Sequence, residues 1–292
     1  MGTEAIDPSY EDIDQWPTPL AVAAMVEGQM AAIASLRALT GPIAAAAEAA
    51  AQRLGQRGRL VYVGAGTSGR VAVQDGVELY PTFNWPQARL HFIMAGGLVA
   101  LTEAVEGAED DAEAGAQAIR DARLTAEDVV FGLAASGRTP YTVAALRMAR
   151  AAGALTIGIA NNPDTPLLDA VEHPLFADTG AEIVAGSTRM KAGTAQKAIL
   201  NLLSTAIMLR RGLVYRGRMV NMRMSNAKLL ARGRQMVADL AGVDLDLAGE
   251  ALDRADHDIK AAVLIAMGAD LATVKAALAA NPNLRDAIKA RG

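Results

Sequence analysis

Between residues 59 and 178, short β-rich runs alternate with segments of helical length, and this restricts the fold more than any other feature of the chain. The runs are Arg59 to Val63 (RLVYV), residues 89–94 (RLHFIM), Asp128 to Leu133 (DVVFGL), Leu155 to Ile159 (LTIGI) and a fifth at residues 173–178. Helices are expected between them at 68–80, at 98–121 with a break at Gly107, and at 140–152. Strand and helix in alternation imply a parallel sheet covered on both faces. The expected class is therefore α/β, a doubly wound parallel sheet, whose ligands lie at the carboxyl ends of the strands.

The flanking segments are helical. Residues 1–18 read as an extended arm, because Pro8, Pro17 and Pro19 forbid a continuous helix. Helices are expected at 20–40 and 42–57, separated by Gly41 and Pro42 and closed by Gly55 and Gly58. Residues 188–211 form one long helix in which Ile199, Leu202, Leu203, Ala206 and Ile207 recur at helical spacing, a stripe suited either to the core or to a dimer face. Short helices at 247–255, 258–267 and 271–280 follow, separated by Asp256, Gly268 and Pro282. The expected organisation is an N-terminal arm and helices over 1–58, the α/β domain over 59–239 and a small helical C-terminal domain over 240–292.

Composition narrows the function. The 292 residues suffice for one large domain and one small one, and 52% hydrophobic residues supply a sizeable core. Aromatics are only 4% and alanine dominates, which favours helix. A net charge of −4 and the lack of a long basic run argue against nucleic-acid binding. With no cysteine, disulfides, thiol nucleophiles and cysteine zinc sites are excluded. His91, His173 and His257 are too scattered to suggest a metal site. The acidic opening MGTEAIDPSYEDIDQWP is neither a signal nor a transit peptide, and no run of eighteen uninterrupted apolar residues occurs. The expected compartment is the cytoplasm, with no membrane partner.

Two strand ends resemble each other. LVYVGAGTSGR (60–70) and VVFGLAASGRT (129–139) each run from an apolar strand through small residues into Ser-Gly-Arg at a helix start. Gly66 and Gly137 allow close backbone approach to a ligand. Unpaired amides and the helix dipole there favour an anion. Thr67, Ser68, Ser136 and Thr139 add hydroxyls, and Arg70 or Arg138 can add charge. Residues 64–69 also spell GxGxxG, yet a dinucleotide fingerprint needs an acid about 20 positions on. The second strand ends in Met94-Ala95-Gly96-Gly97 without one, so no nicotinamide cofactor is expected. A third cluster, Ser187, Thr188, Arg189 and Lys191, stands at the start of the long helix and suits a phosphate or carboxylate. Among the glutamates that follow the first two strands are Glu78 and, in AVEGAEDDAE (104–113), Glu106 and Glu109. Carboxylates in different environments can divide the roles of acid and base.

The residues also resemble a known family. GAGTSGR (64–70), PTF (81–83), AGG (95–97), AVEGAEDDAEAGA (104–116), AASGRTPY (134–141), GSTRMKAGTAQK (186–197) and NAKL (226–229), with the opening TEAIDPSYEDID (3–14), look like the N-acetylmuramic acid 6-phosphate etherases. The likeness spans essentially the whole chain, and GSTRMKAGTAQK is its most specific part. It implies a sugar-isomerase (SIS) type of α/β domain and cleavage of a lactyl ether in cell-wall sugar recycling. It further implies Glu78 as acid and Glu109 as base, a homodimer with active sites near the subunit interface, and neither metal nor organic cofactor. Where the family has a stretch like LGVLDASECPPTF, residues 71–83 read VAVQDGVELYPTF, which keeps the glutamate and changes its neighbours. The rival readings are an aldose–ketose isomerase on the same fold and a non-catalytic sugar-phosphate sensor.

Overall fold

The computed structural model describes residues 2–290. Five parallel strands form one sheet: β1 (Leu60–Gly64), β2 (Leu90–Met94), β3 (Val129–Leu133), β4 (Leu155–Ala160) and β5 (His173–Phe176), in the order β2-β1-β3-β4-β5. Every residue of β1, β3 and β4 is buried, as central strands covered on both faces require. The edge strands β2 and β5 are only partly buried. The helices are α1 (Thr18–Ser35), α2 (Thr40–Arg53), α3 (Gly66–Phe83), α4 (Ala112–Ala122), α5 (Pro140–Ala151), α6 (Pro166–Asp169), α7 (Lys191–Arg210), α8 (Ala227–Ala241), α9 (Leu245–Arg254), α10 (Ile259–Ala266), α11 (Leu271–Ala280) and α12 (Leu284–Lys289). The doubly wound α/β class read from the alternation is the one observed.

The chain divides into two compact units, Met1–Val77 with Ala88–Ala206, and Glu78–Gln87 with Ile207–Gly292. The boundaries after Val77 and after Ala206 fall inside helices, α3 and α7, and residue 240, where the sequence pattern changes, lies inside α8.

Within the first unit, the strand order reverses its direction of winding between β1 and β3, which pair in register from Leu60↔Val129 to Gly64↔Leu133. Such a switch point opens a crevice at the carboxyl ends of the two strands. The opposite ends are held by an ion pair: Arg59 donates from Nε to Asp128 Oδ1 at 3.1 Å and from Nη2 to Oδ2 at 2.8 Å. Burial alone would raise the Asp128 pKa, but the hydrogen bonds from Arg59 and from the Thr125 amide hold it below the usual carboxylate value. A second polar knot ties α3 to α7. The buried Asp75 carboxylate accepts from Tyr62 Oη (3.0 Å), Asn201 Nδ2 (2.7 Å) and Ser204 Oγ (3.1 Å). Burial raises the Asp75 pKa against the pull of these donors.

Several local expectations change. Gly41 and Pro42 do not separate two helices; they lie in the first turn of α2, where proline's missing N–H is no loss. A 3-10 turn, Leu36–Leu39, makes the link to α1 instead. Helix 98–121 is reduced to a 3-10 turn, Leu98–Leu101, and to α4, which begins where Asp111 caps the Ala114 amide. The arm is turned rather than extended, with 3-10 turns at Pro8–Tyr10 and Ile13–Gln15. It is pinned by Thr3, fully buried, whose amide donates to Asn162 Oδ1 at 3.0 Å. The helical run Thr18–Arg53 contains an 18-residue window of mean hydropathy 1.4, enough to meet a membrane span's length and composition though not as an uninterrupted apolar run. Glu27 and Gln29 interrupt the run, so an uninterrupted-run criterion passes over it. Only 17% of that window is buried, and α1 leaves Leu20, Val22, Val26, Met30 and Ile33 exposed.

The second unit has its own core, built around Val237, Ala248, Leu252, Ala262 and Val263. Here Tyr80, which departs from the family's pattern, lies under the Arg223 guanidinium at 4.5 Å. Lys260 is buried and donates from Nζ to the Pro282 carbonyl at 2.7 Å.

Two predictions follow from these buried groups. Asp75→Ala leaves three donors without their acceptor and should cost about 3 kcal/mol of stability, read from urea unfolding. Burial lowers the Lys260 pKa from 10.5 to about 8, against the attraction of Asp258. Between those values the unfolded chain binds more protons than the folded one, so stability contributed by this group rises with pH from about 8 towards 10.5. Lys260→Met should remove that rise from a series of unfolding midpoints taken across the same range.

Candidate functional site

A cavity of about 370 Å³ opens at the β1/β3 switch point, lined by Gly66, Thr67 and Ser68 from the first loop and by Ser136, Arg138 and Thr139 from the second. Glu109 and Thr188 also line it. The turn out of β1 is tight because two glycines touch: a Cβ on Gly64 would stand 2.8 Å from the Gly69 nitrogen. Gly69 donates to the Ala65 carbonyl at 3.0 Å. The Thr67 and Ser68 amides lie in the first turn of α3, where no helical carbonyl precedes them, and thus remain available to a ligand. Gly66 and Gly137 both have positive φ, 51° and 66°. Gly137 is further constrained, since a Cβ there would fall 2.3 Å from Thr165 Oγ1. Its amide donates to the Ala134 carbonyl at 2.9 Å. Ser136 Oγ accepts from the Arg138 amide at 3.2 Å. Thr139 is the N-cap of α5, but its hydroxyl makes no capping bond and is left free at the cavity wall.

Glu109 reaches this place through its backbone: its carbonyl accepts from the Tyr141 amide, in the first turn of α5, at 3.1 Å. The loop after β2 is thereby fastened to the unit that carries the second serine loop. Glu109 also borders an adjoining cavity of about 230 Å³, which Glu106 helps to line. Burial, and the charge of Asp111, raise the Tyr141 pKa.

The two arginines of the Ser-Gly-Arg motifs have different fates. Arg138 lines the cavity, whereas Arg70 is turned to backbone, donating from Nε to the Ala100 (3.0 Å) and Leu101 (3.2 Å) carbonyls. The third cluster is divided. Thr188 lines the cavity, but Ser187, Arg189 and Lys191 are not among its lining residues. Lys191 Nζ donates to the Ala181 carbonyl at 2.7 Å. The first amides of α7 are satisfied by the buried Glu182, whose two carboxylate oxygens accept from Lys191 N and Ala192 N at 2.9 Å each. That helix start is therefore already occupied by an internal anion. Glu78 is exposed on α3 and is not among the residues lining the described cavities. Two acids missing from the sequence reading, Glu4 and Asp110, line the cavity as well. Glu4 gets there because Thr3 is pinned and the Thr3 carbonyl accepts from the Gly186 amide at 3.3 Å. No periodicity or spacing in the arm signals this.

The 2-1-3-4-5 parallel sheet with a cavity at its switch point is a doubly wound α/β architecture, and matches to family models identify it as a sugar-isomerase (SIS) domain. A model of the SIS domain matches residues 110–206, and one of the glucokinase regulatory protein N-terminal SIS domain matches residues 42–150. A protein of Bacteroides fragilis assigned as a phosphosugar isomerase of capsule formation has a similar fold, with a TM-score of 0.50 at 20% identity over 69% of this chain and 95% of that one. Closer in sequence is the N-acetylmuramic acid 6-phosphate etherase of Deinococcus radiodurans, 48% identical over 90% of this chain and 86% of the relative. That of Salmonella schwarzengrund is 40% identical over 96% of this chain and 94% of the relative. The chain belongs to the N-acetylmuramic acid 6-phosphate etherase family.

Ser136→Ala removes one hydroxyl from the cradle without touching Glu109. It should weaken binding of a hexose 6-phosphate about tenfold or more, measured by titration calorimetry. Unchanged affinity would take Ser136 out of the cradle.

Proposed function

We propose that this chain cleaves the D-lactyl ether of N-acetylmuramic acid 6-phosphate in the cytoplasm, giving N-acetylglucosamine 6-phosphate and D-lactate. One observation carries the reading: Glu109 borders the same cavity as both serine-glycine loops. A sugar whose 6-phosphate meets the Thr67 and Ser68 amides and the Ser136 and Thr139 hydroxyls then has its ring carbons beside that carboxylate.

An ether leaves poorly, so the bond at C3 breaks only if a neighbouring proton is acidic. The open-chain aldehyde at C1 acidifies the C2 proton. Glu109 removes it as general base; the C2–H electron pair forms the C2–C3 double bond as the C3–O bond breaks. Glu78 protonates the departing lactate oxygen as general acid. Water then adds its oxygen to C3 and a proton returns to C2, so the net change is hydrolysis. The Arg138 guanidinium lies on the cavity wall, where it offsets the charge of a phosphate close to three carboxylates.

The reading includes a homodimer. The apolar residues that α1 leaves exposed, Leu20, Val22, Val26, Met30 and Ile33, suit a second copy of this chain. On α7, Ile199, Leu203 and Ile207 are fully buried while Leu202 and Leu209 remain exposed, so the stripe divides between core and surface.

The test is to incubate the purified chain with N-acetylmuramic acid 6-phosphate and assay free lactate. Glu109→Gln should lower turnover by about 10²–10⁴-fold while hexose 6-phosphate binding persists. Turnover near that of the parent would remove Glu109 from the role of base.

A further inference from the structure

A pyranose is a cyclic hemiacetal with no carbonyl at C1, so its C2 proton is not yet acidic. Ring opening has to come first. O1 loses its proton, that electron pair forms the C1=O1 bond, the C1–O5 bond breaks, and O5 takes up a proton. One proton leaves and one arrives, on two oxygens attached to the same carbon. A single group that accepts and returns a proton can therefore serve both ends of the step. Among the described residues that line the cavity, the side chains suited to this are Glu4, Glu109 and Asp110; no histidine is among them. Glu109 is engaged at C2 in the reaction above. Asp110 shares its loop, with its amide donating to the Gly107 carbonyl at 3.1 Å.

Glu4 has a different origin. The loop carrying Glu109 leaves the edge strand β2, whereas the arm carrying Glu4 is tied down beyond β4 and β5. Asn162, two residues past β4, accepts from the Thr3 amide at 3.0 Å and donates from Nδ2 to Thr3 Oγ1 at 2.8 Å. The same Nδ2 donates to the Ala135 carbonyl, in the second serine loop, at 2.9 Å. A Cβ on Gly2 would stand 2.5 Å from Asn162 Oδ1, so the arm lies directly on that side chain. On the other side the Thr3 carbonyl accepts from the Gly186 amide. Gly186 also makes room for the acid, since a Cβ there would stand 3.0 Å from Glu4 Oε2. The arm is thus fixed by a fully buried residue, while Glu4 next to it is exposed and can exchange its proton with water. Its carboxylate has no hydrogen-bond or ion-pair partner among the described residues, so no internal contact holds it back from a ligand.

We infer that Glu4 is a further catalytic residue, which opens the sugar ring by taking the proton from O1 and returning it to O5. This rests on the etherase reading above. Glu109 then meets an aldehyde whose C2 proton it can remove. The two carboxylates reach the cavity from opposite edges of the sheet and act on adjacent carbons in succession.

N-acetylglucosamine 6-phosphate tests the step by itself, because it has a ring to open and no lactyl ether to lose. Exchange between its two anomers, followed by magnetisation-transfer NMR, should be faster with the parent chain than in buffer. Glu4→Gln should lose that acceleration by about 10²-fold or more. Lactate release from N-acetylmuramic acid 6-phosphate should fall as well. Hexose 6-phosphate affinity and the urea unfolding midpoint should hold, since the Thr3 anchor is untouched. Anomer exchange at the parent rate in Glu4→Gln overturns the inference. So does a loss of affinity or stability large enough to account for the lost exchange, which would make Glu4 a structural residue. Failure of the underlying reading is distinguishable. A parent chain that exchanges the anomers through Glu4 yet releases no lactate would keep the ring-opening role and remove the etherase. Lactate release with exchange no faster than in buffer would do the reverse.

Discussion

The parallel pairing of β1 with β3 is the constraint on which the site depends. Their register sets Gly64 level with Leu133, so both chains leave the sheet at the same height and the two serine-glycine turns come side by side. A slip in that register would separate the hydroxyls of one loop from the amides of the other. The Arg59–Asp128 pair braces the opposite end of the same two strands, where Val129 also donates to the Arg59 carbonyl at 2.9 Å. The adjacency is thus secured at both ends.

From that adjacency the chemistry follows by attachment. The turn after β1 must be tight for the α3 amides to face the crevice, and the contact of Gly64 with Gly69 makes it so. The second loop brings α5, and α5 in turn holds Glu109 through the Tyr141 amide. Glu109 is therefore placed by its backbone rather than by its side chain. At α7 the opposite choice is made: Glu182 occupies the helix start, fixing Lys191 and Ala192 as structure and leaving Thr188 to face the cavity. The same residue types line the cavity in one place and serve as internal bracing in another. What distinguishes them is whether a buried carboxylate is already within reach.

Much of the fold was readable because its signals are local. Apolar runs marked β1 to β4 to within a residue or two, and cavity-lining residues such as Ser68 and Ser136 could be named from the two repeated turns. The errors arose where a local rule met a tolerant context. Pro42 was read as a break, yet it stands in the first turn of α2, and the helix expected to end at residue 80 runs on through Pro81 to Phe83. α8 carried usable signals that the sequence reading passed over: Asn226 caps the Leu229 amide, and Leu229, Gly233, Met236, Val237 and Leu240 recur at helical spacing.

The sequence by itself determined the α/β class, the order of its elements and the residue types able to cradle an anion, because these depend on periodicity and on backbone freedom within a few residues. Through its likeness to a family it also pointed to the pair Glu78 and Glu109. Only the tertiary structure decided which of the candidate side chains face one cavity. It set Glu4 and Asp110 beside Glu109, turned Arg70 and Lys191 onto backbone carbonyls, and left Glu78 out on α3. Those outcomes rest on contacts between segments far apart in the chain and on the length of a helix, and neither is written in the spacing around the residues themselves.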